Sequence, residues 1–104
     1  MWFKVKEAKN FLLKHHIVCT LRPFRRKRDF KNPHGYYENL VDDQKQNIGL
    51  GYVFFIKEIK DDSEVTPFLR CSGFDIVQQW LYEAKYKYAK TPERLFLYVV
   101  FLQS

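Results

Sequence analysis

Glycine, proline and cysteine are scarce in this 104-residue sequence, with four, four and two copies respectively, and long apolar runs are missing. The longest runs, residues 95–102 and 52–56, are far shorter than the roughly 20 residues that a membrane-spanning helix needs. Charges at Lys4, Lys6 and Glu7 interrupt the amino-terminal stretch, so we expect no secretory signal. The sequence therefore predicts a protein without a membrane partner.

The chain also lacks internal repeats and any linker rich in proline, glycine or serine. Its hydrophobic share of 46% and charged share of 29% are typical of a globular protein rather than a disordered one. A chain of this length has room for one hydrophobic core. We therefore predict a single domain over residues 1–104.

The two cysteines, Cys19 and Cys71, lie far apart, and neither belongs to a CxxC motif. This spacing indicates neither a zinc site nor a disulfide framework. Unpaired cysteines are usually buried, so we expect two free, buried thiols. Free thiols and the missing signal both favour a reducing compartment, and we expect the protein in the cytoplasm.

Residues that hold metals or cofactors are also few. His15 and His16 are neighbours that point in different directions on a helix or a strand, and His34 is distant. Gly49 and Gly51 lie at the start of an expected strand rather than before a helix, which excludes a phosphate-binding loop of the usual type. We therefore expect no metal and no cofactor.

Positive charge is abundant and concentrated. The formal net charge is +6, and residues 22–31, here called the basic segment, contain six cations and one anion, a balance of +5. Its cations are Arg22, Arg25, Arg26, Lys27, Arg28 and Lys31. Four are arginines, whose planar guanidinium groups pair with phosphate and stack on bases. Phe24, Phe30, Tyr36 and Tyr37 lie within or beside the basic segment. Cations interleaved with aromatic rings are typical of surfaces that bind single-stranded nucleic acid.

Hydrophobic periodicity predicts two helices and four strands. We expect strands at residues 17–22, from Tyr36 toward Val41, at residues 49–60 and at residues 95–102, the last buried on both faces. A first helix is expected at residues 5–13, and residues 66–69 are expected to form one helical turn.

A second helix is predicted after Ser72. Together with Asp75, Ser72 resembles a capping box that opens this helix. Its apolar face would carry Val77, Trp80, Leu81, Ala84 and Tyr88. The predicted order is therefore α-β-β-β-α-β, which is an α+β fold.

Thr20, Leu21 and Arg22, together with Gly73 and Phe74, carry a resemblance to the ASCH group of the PUA-like superfamily. In that group a T-x-R strand follows a short helix, and a Gly-Phe pair opens a later helix. The resemblance implies a small, mixed, β-barrel-like sheet with two flanking helices and a cleft that binds RNA. Related amidohydrolases use a lysine where this sequence has Ile17. The resemblance therefore implies binding rather than catalysis.

These observations predict a module that binds nucleic acid, with RNA or another single strand as the favoured partner. The expected contacts come from Thr20, the six cations of the basic segment, and either Tyr36 or Tyr37. One alternative is that Phe24 and Phe30 anchor the basic segment in the core while its cations are merely solvated.

Two other functions stay open. One is a small enzyme acting on a nucleoside or nucleic acid, including a nuclease that uses Asp42 with Asp43 or Asp61 with Asp62. The other is a protein-interaction domain that docks on an acidic partner or forms a homodimer through its aromatic residues.

Overall fold

A computed structural model of the protein describes residues 1–87 and 94–103. Within these residues, five strands form one sheet: β1 (Trp2–Phe3), β2 (Ile17–Arg22), β3 (Tyr36–Asp42), β4 (Asn47–Ile59) and β5 (Leu95–Leu102). The α-helices are α1 (Lys6–His15), α2 (Lys27–Lys31) and α3 (Val77–Lys87), and a 3-10 helix (Asp62–Cys71) lies between β4 and α3. None of the helices described is long and apolar enough to cross a membrane.

The strands follow the order β1-β3-β4-β5-β2, and the sheet curls into a half-barrel. β1 is parallel to β3, whereas the other neighbours are antiparallel. An irregularity between Phe55 and Lys57 interrupts the long strand β4, and such bulges bend a strand. One side-chain hydrogen bond links the two edge strands, because the Arg22 guanidinium on β2 donates to the Trp2 carbonyl on β1. A mixed α+β fold with a barrel-like sheet is thereby confirmed.

β5 lies between β4 and β2, and its burial explains its composition. Residues 95–98 are all buried, and the neighbours Leu97 and Tyr98, which point to opposite faces, are fully inaccessible. A strand covered on both sides needs a continuous apolar run rather than an alternating one. The prediction of a strand buried on both faces is confirmed for this half of β5.

Helix α1 packs against the sheet through Ala8 and Leu12, both buried. The loop after the 3-10 helix passes so close to α1 that a Cβ on Gly73 would lie 2.4 Å from the Glu7 carbonyl oxygen. Gly73 also has a φ of +90°, which side-chain-bearing residues rarely adopt. Glycine is therefore required here for contact with α1.

The predicted element order needs correction. It omits the two-residue strand β1 and the five-residue helix α2, and the expected single turn at residues 66–69 is a ten-residue 3-10 helix. β1 has too few residues to produce a sequence pattern, and α2 begins within the basic segment, where apolar periodicity is missing. The described fold thus has three α-helices rather than two.

The predicted capping box is also wrong, because α3 begins at Val77 rather than just after Ser72. The buried Ser72 hydroxyl instead donates to the Leu69 carbonyl and accepts from the Phe74 amide, so it closes the 3-10 helix. Trp80, Leu81 and Ala84 are buried as predicted. Val77 is half-buried, and Tyr88 lies outside the described residues.

Candidate nucleic-acid interface

The basic segment leaves the end of β2 and folds back over the sheet through α2. Two acidic residues hold it in this position: Asp29 on α2 and Glu38 on β3. Neither was predicted as a site residue, because each also has a partner that is distant in sequence: the Tyr98 hydroxyl for Asp29 and the Met1 amine for Glu38.

Asp29 is 2% exposed and anchors α2 to the sheet. Its carboxylate accepts hydrogen bonds from the Tyr36 hydroxyl at 2.8 Å, from the Arg26 backbone amide at 3.0 Å, and from the Tyr98 hydroxyl. Burial first, and then the hydrogen bond to Asp29, raise the pKa of both tyrosines above its usual range. Both hydroxyls therefore stay protonated and act as donors to Asp29.

Glu38 holds the arginines of the basic segment. Both terminal nitrogens of the Arg26 guanidinium donate to its carboxylate, a guanidinium nitrogen of Arg28 lies 3.0 Å away, and the Met1 amine lies at 2.7 Å. The side chain of Glu38 is only 9% exposed. Burial alone would raise its pKa, but the hydrogen bonds from Arg26 and the amine outweigh burial and lower the pKa to about 2. The Arg26 guanidinium therefore fixes the fold of the segment.

The low pKa of Glu38 predicts a specific acid sensitivity. Its folded-state pKa, about 2, lies below its ordinary value of 4.5, so the stabilisation is complete above about pH 4.5 and is lost as the pH falls through 2. The difference corresponds to about 3 kcal/mol in the free energy of unfolding. Urea denaturation at a series of pH values should show this loss in the wild-type protein and a smaller one in Glu38→Gln. Glu58 also has a pKa near 2, but it titrates in both proteins and cancels in the comparison. Equal pH dependence in the two proteins would contradict the role of Glu38.

The aromatic residues of the basic segment lie on the surface. Phe24 is 62% exposed and Phe30 is 65% exposed, which contradicts the alternative that they are core anchors. The Arg25 guanidinium carbon lies between two rings, 3.9 Å from the centroid of Phe30 and 4.0 Å from that of Phe55. Such cation–π contacts are favourable and hold the guanidinium against the exposed Phe30 ring and the half-buried Phe55 ring.

These rings open onto a groove of about 680 Å³. The groove is lined by Pro23, Phe24, Arg25, Phe30, Phe55, Glu58, Arg94 and Phe96. Arg94 forms two hydrogen bonds to the Glu58 carboxylate, at 2.6 and 2.8 Å. Four phenylalanines and two arginines thus share one open surface.

A second cleft, of about 430 Å³, lies on the other side of Phe24. It is lined by Met1, Trp2, Lys4, Arg22, Phe24 and Arg26. The Lys4 ammonium lies 4.0 Å from the centroid of a Trp2 ring. Phe24 therefore stands between two cavities, each lined by both aromatic and cationic side chains.

The predicted site residues divide by burial. Lys27, Arg28, Lys31 and Tyr37 are exposed, Arg25 and Arg26 are half-buried, and Thr20, Arg22 and Tyr36 are buried. Thr20 and Arg22 share a face of the sheet, as expected. Thr20, however, lines a cavity of only about 10 Å³ rather than either of the two clefts described above. Of the two tyrosines, Tyr36 is the core residue and Tyr37 points to the opposite face.

Several groove residues were missed by sequence reasoning. Phe55 and Phe96 fall within predicted strands and Arg94 just before one, and their approach to the basic segment depends on the pairing of β4 with β5. No residue pattern within the basic segment points to them. The candidate interface therefore extends beyond residues 22–31.

Within residues 1–87 and 94–103, the remaining histidine, cysteine and acidic side chains form no metal site. Among the described residues, no three His, Cys, Asp or Glu side chains are grouped so as to hold a metal ion. Cys19 is buried and Cys71 is half-buried, and both are free. Burial, followed by the influence of the neighbouring Cys71, raises the pKa of the Cys19 thiol to about 12. A thiol with this pKa is a poor nucleophile at neutral pH.

Comparison with known proteins identifies no relative: no family model, curated protein or solved structure matches this chain.

Proposed function

We propose that this protein binds single-stranded nucleic acid across the basic segment and the groove beside it. The observation that carries the proposal is the exposure of Phe24 and Phe30 on either side of Arg25 in the chain. Burying large apolar side chains is favourable, so two exposed phenylalanines within a cationic segment indicate a surface that contacts a partner. Unpaired bases stack on such rings, whereas the bases of a duplex are already stacked on each other. RNA is favoured over DNA because of the ASCH resemblance.

The ion pairs within the basic segment determine which cations are available to contact the phosphates of a nucleic acid. Arg26 donates both terminal nitrogens to Glu38, and Arg22 is buried. Arg28 contacts Glu38 through one guanidinium nitrogen but is exposed, so the phosphate contacts are assigned to Arg25, Lys27, Arg28 and Lys31. Lys27 and Lys31 are four residues apart on α2 and therefore lie on the same side of that helix. If the sugar-phosphate backbone of a single strand follows this side of α2, its bases are free to reach Phe30 and the groove.

Salt dependence tests this division of roles. Four phosphate contacts on a single strand predict that log affinity falls with log salt at a slope of about −3, from about 0.7 per contact. Replacing Lys27 and Lys31 together with glutamine should reduce the slope to about −1.5. The measurement is fluorescence anisotropy of labelled single-stranded RNA, single-stranded DNA and duplex DNA across a salt series.

A double variant, Lys6→Gln with Lys14→Gln, is the matched control, because it removes two exposed lysines from α1 and leaves the interface intact. It should keep the wild-type slope. Affinity that ignores salt, or an equal loss of slope in the two double variants, would refute the proposal. Tighter binding to duplex DNA than to either single strand would refute the stacking role of Phe24 and Phe30.

A further inference from the structure

A row of large apolar side chains crosses four strands on the outer face of the sheet, opposite to Tyr36 and Tyr98. Tyr37 on β3 is paired with Tyr52 on β4, Tyr52 with Phe101 on β5, and Phe101 with Ile17 on β2. Directly paired residues of neighbouring strands project from the same face. The four side chains therefore form one continuous row, here called the outer row.

The outer row is accessible to solvent. Tyr37 is 56% exposed and Phe101 is 40% exposed, and Leu50, two residues before Tyr52 on the same face of β4, is 45% exposed. Side chains of this size expose roughly 250 Å² between them at these fractions. The Tyr37 and Tyr52 rings are in edge-to-face contact, with centroids 5.0 Å apart. A contiguous apolar patch on this scale often marks an interaction surface.

The outer row itself carries no charge, although the chain has a net charge of +6. Lys57 is on the same face, but it pairs with Leu97, beyond Phe54 and Val99, and forms an ion pair with Glu64. The next side chains along the strands on this face are uncharged as well. They are Asn39 and Leu50 on one side of the outer row and Phe54 and Val99 on the other. The outer row therefore presents no cation to the phosphates of a nucleic acid and no opposite charge to an acidic protein. Two copies of a basic chain repel each other through most of their surface, but not through an uncharged patch.

We propose that the outer row, with Leu50, pairs with the same surface of a second copy of this chain. Sheets pack face to face through apolar side chains, and a two-fold axis brings identical patches together. Including the half-buried neighbours, the patch offers roughly 500 Å² per copy, the low end for specific interfaces, so we expect dimers in the micromolar range. The inference is independent of the proposed nucleic-acid function.

The orientation of the proposed dimer has a consequence for the basic segment. Phe55 and Phe96, which line the groove, project from the face opposite to the outer row. Dimerisation would therefore leave both grooves open. Two grooves in one particle would bind a strand long enough to reach both more tightly than a short one.

Sedimentation velocity of the whole chain tests the proposal from about 1 to about 500 µM, a range that brackets a micromolar dissociation constant. We expect the wild-type protein to change from monomer to dimer across this range. Leu50→Glu would place a charge in the patch of each copy and is expected to weaken dimerisation at least tenfold. Ile76→Glu is the matched control, because Ile76 is an exposed apolar residue outside the patch. It should dimerise as the wild type does.

Tyr37→Lys provides a second test of the same surface from β3, and far-UV circular dichroism and thermal melting show that each variant is folded. A protein that stays monomeric at the highest concentration would overturn the inference. So would a dimer that survives both Leu50→Glu and Tyr37→Lys, or one that is lost instead on replacing Phe24 and Phe30. Loss of nucleic-acid affinity in Leu50→Glu at monomeric concentrations would reassign the patch to the ligand and likewise overturn it.

Discussion

Replacing Asp29 with alanine is expected to lower the free energy of unfolding by about 4 kcal/mol. The substitution removes the acceptor of two tyrosine hydroxyls and one backbone amide. Each buried donor that loses its partner costs about 1–3 kcal/mol. Urea denaturation followed by tryptophan fluorescence measures the change, and Trp80, which is buried, reports on the core.

Two further variants isolate the cause. Asp43→Ala removes an exposed aspartate and should change the stability by less than about 0.5 kcal/mol. Adding Tyr36→Phe and Tyr98→Phe to Asp29→Ala removes the orphaned hydroxyls as well and should recover about 2 kcal/mol, because removing both partners costs less than removing one. If the triple variant is less stable than Asp29→Ala alone, packing rather than hydrogen bonding explains the effect.

The buried carboxylate of Asp29, together with Glu38, also explains how a segment so rich in cations holds one conformation. Two carboxylates, Asp29 and Glu38, bind groups of the segment and of the neighbouring strands: Arg26, Arg28, Tyr36 and Tyr98. Like charges this close repel one another, so the segment needs buried acceptors to hold one conformation. The fold of the interface therefore depends on β3 and β5 as much as on the basic segment itself.

Sequence reasoning located the elements whose pattern is local. The strand at Ile17–Arg22 was predicted at its observed bounds, and the apolar run at residues 95–102 was recognised as a buried strand. Both segments are short, and the first is rich in β-branched residues and is followed by Pro23, which favours a strand. The first helix was displaced by one or two residues, because its start at Lys6 and its end at His15 have no side-chain cap to mark them.

Elements that depend on distant partners were missed. β1 has two residues and exists because Trp2 and Phe3 pair in parallel with Val41 and Asp42. Arg26 and Lys27 are adjacent cations that the sequence does not distinguish. In the structure, Arg26 is bound by Glu38, whereas Lys27 is exposed. The sequence locates the charge, whereas the three-dimensional pairing decides which charges face a ligand.

Replacing Phe24 and Phe30 together with alanine is expected to weaken binding of single-stranded RNA about 100-fold. Each base stacked on an aromatic side chain contributes about 1–3 kcal/mol, so two lost stacks remove at least about 2 kcal/mol, or roughly 30-fold in affinity, and 100-fold corresponds to about 1.4 kcal/mol per stack. Both rings are largely exposed, so the stability of the protein should change by less than about 0.5 kcal/mol. Anisotropy titrations at several salt concentrations measure the affinity.

The salt slope separates stacking from charge. The double variant Phe24→Ala with Phe30→Ala keeps every cation, so its affinity should fall by the same factor at each salt concentration while the slope stays near −3. Leu13→Ala with Tyr82→Ala removes two other exposed side chains, apolar and aromatic, and should bind as the wild type does. Unchanged affinity in the phenylalanine variant would contradict stacking. If that variant instead loses self-association, the aromatic surface belongs to a protein partner and the basic segment serves to attract it.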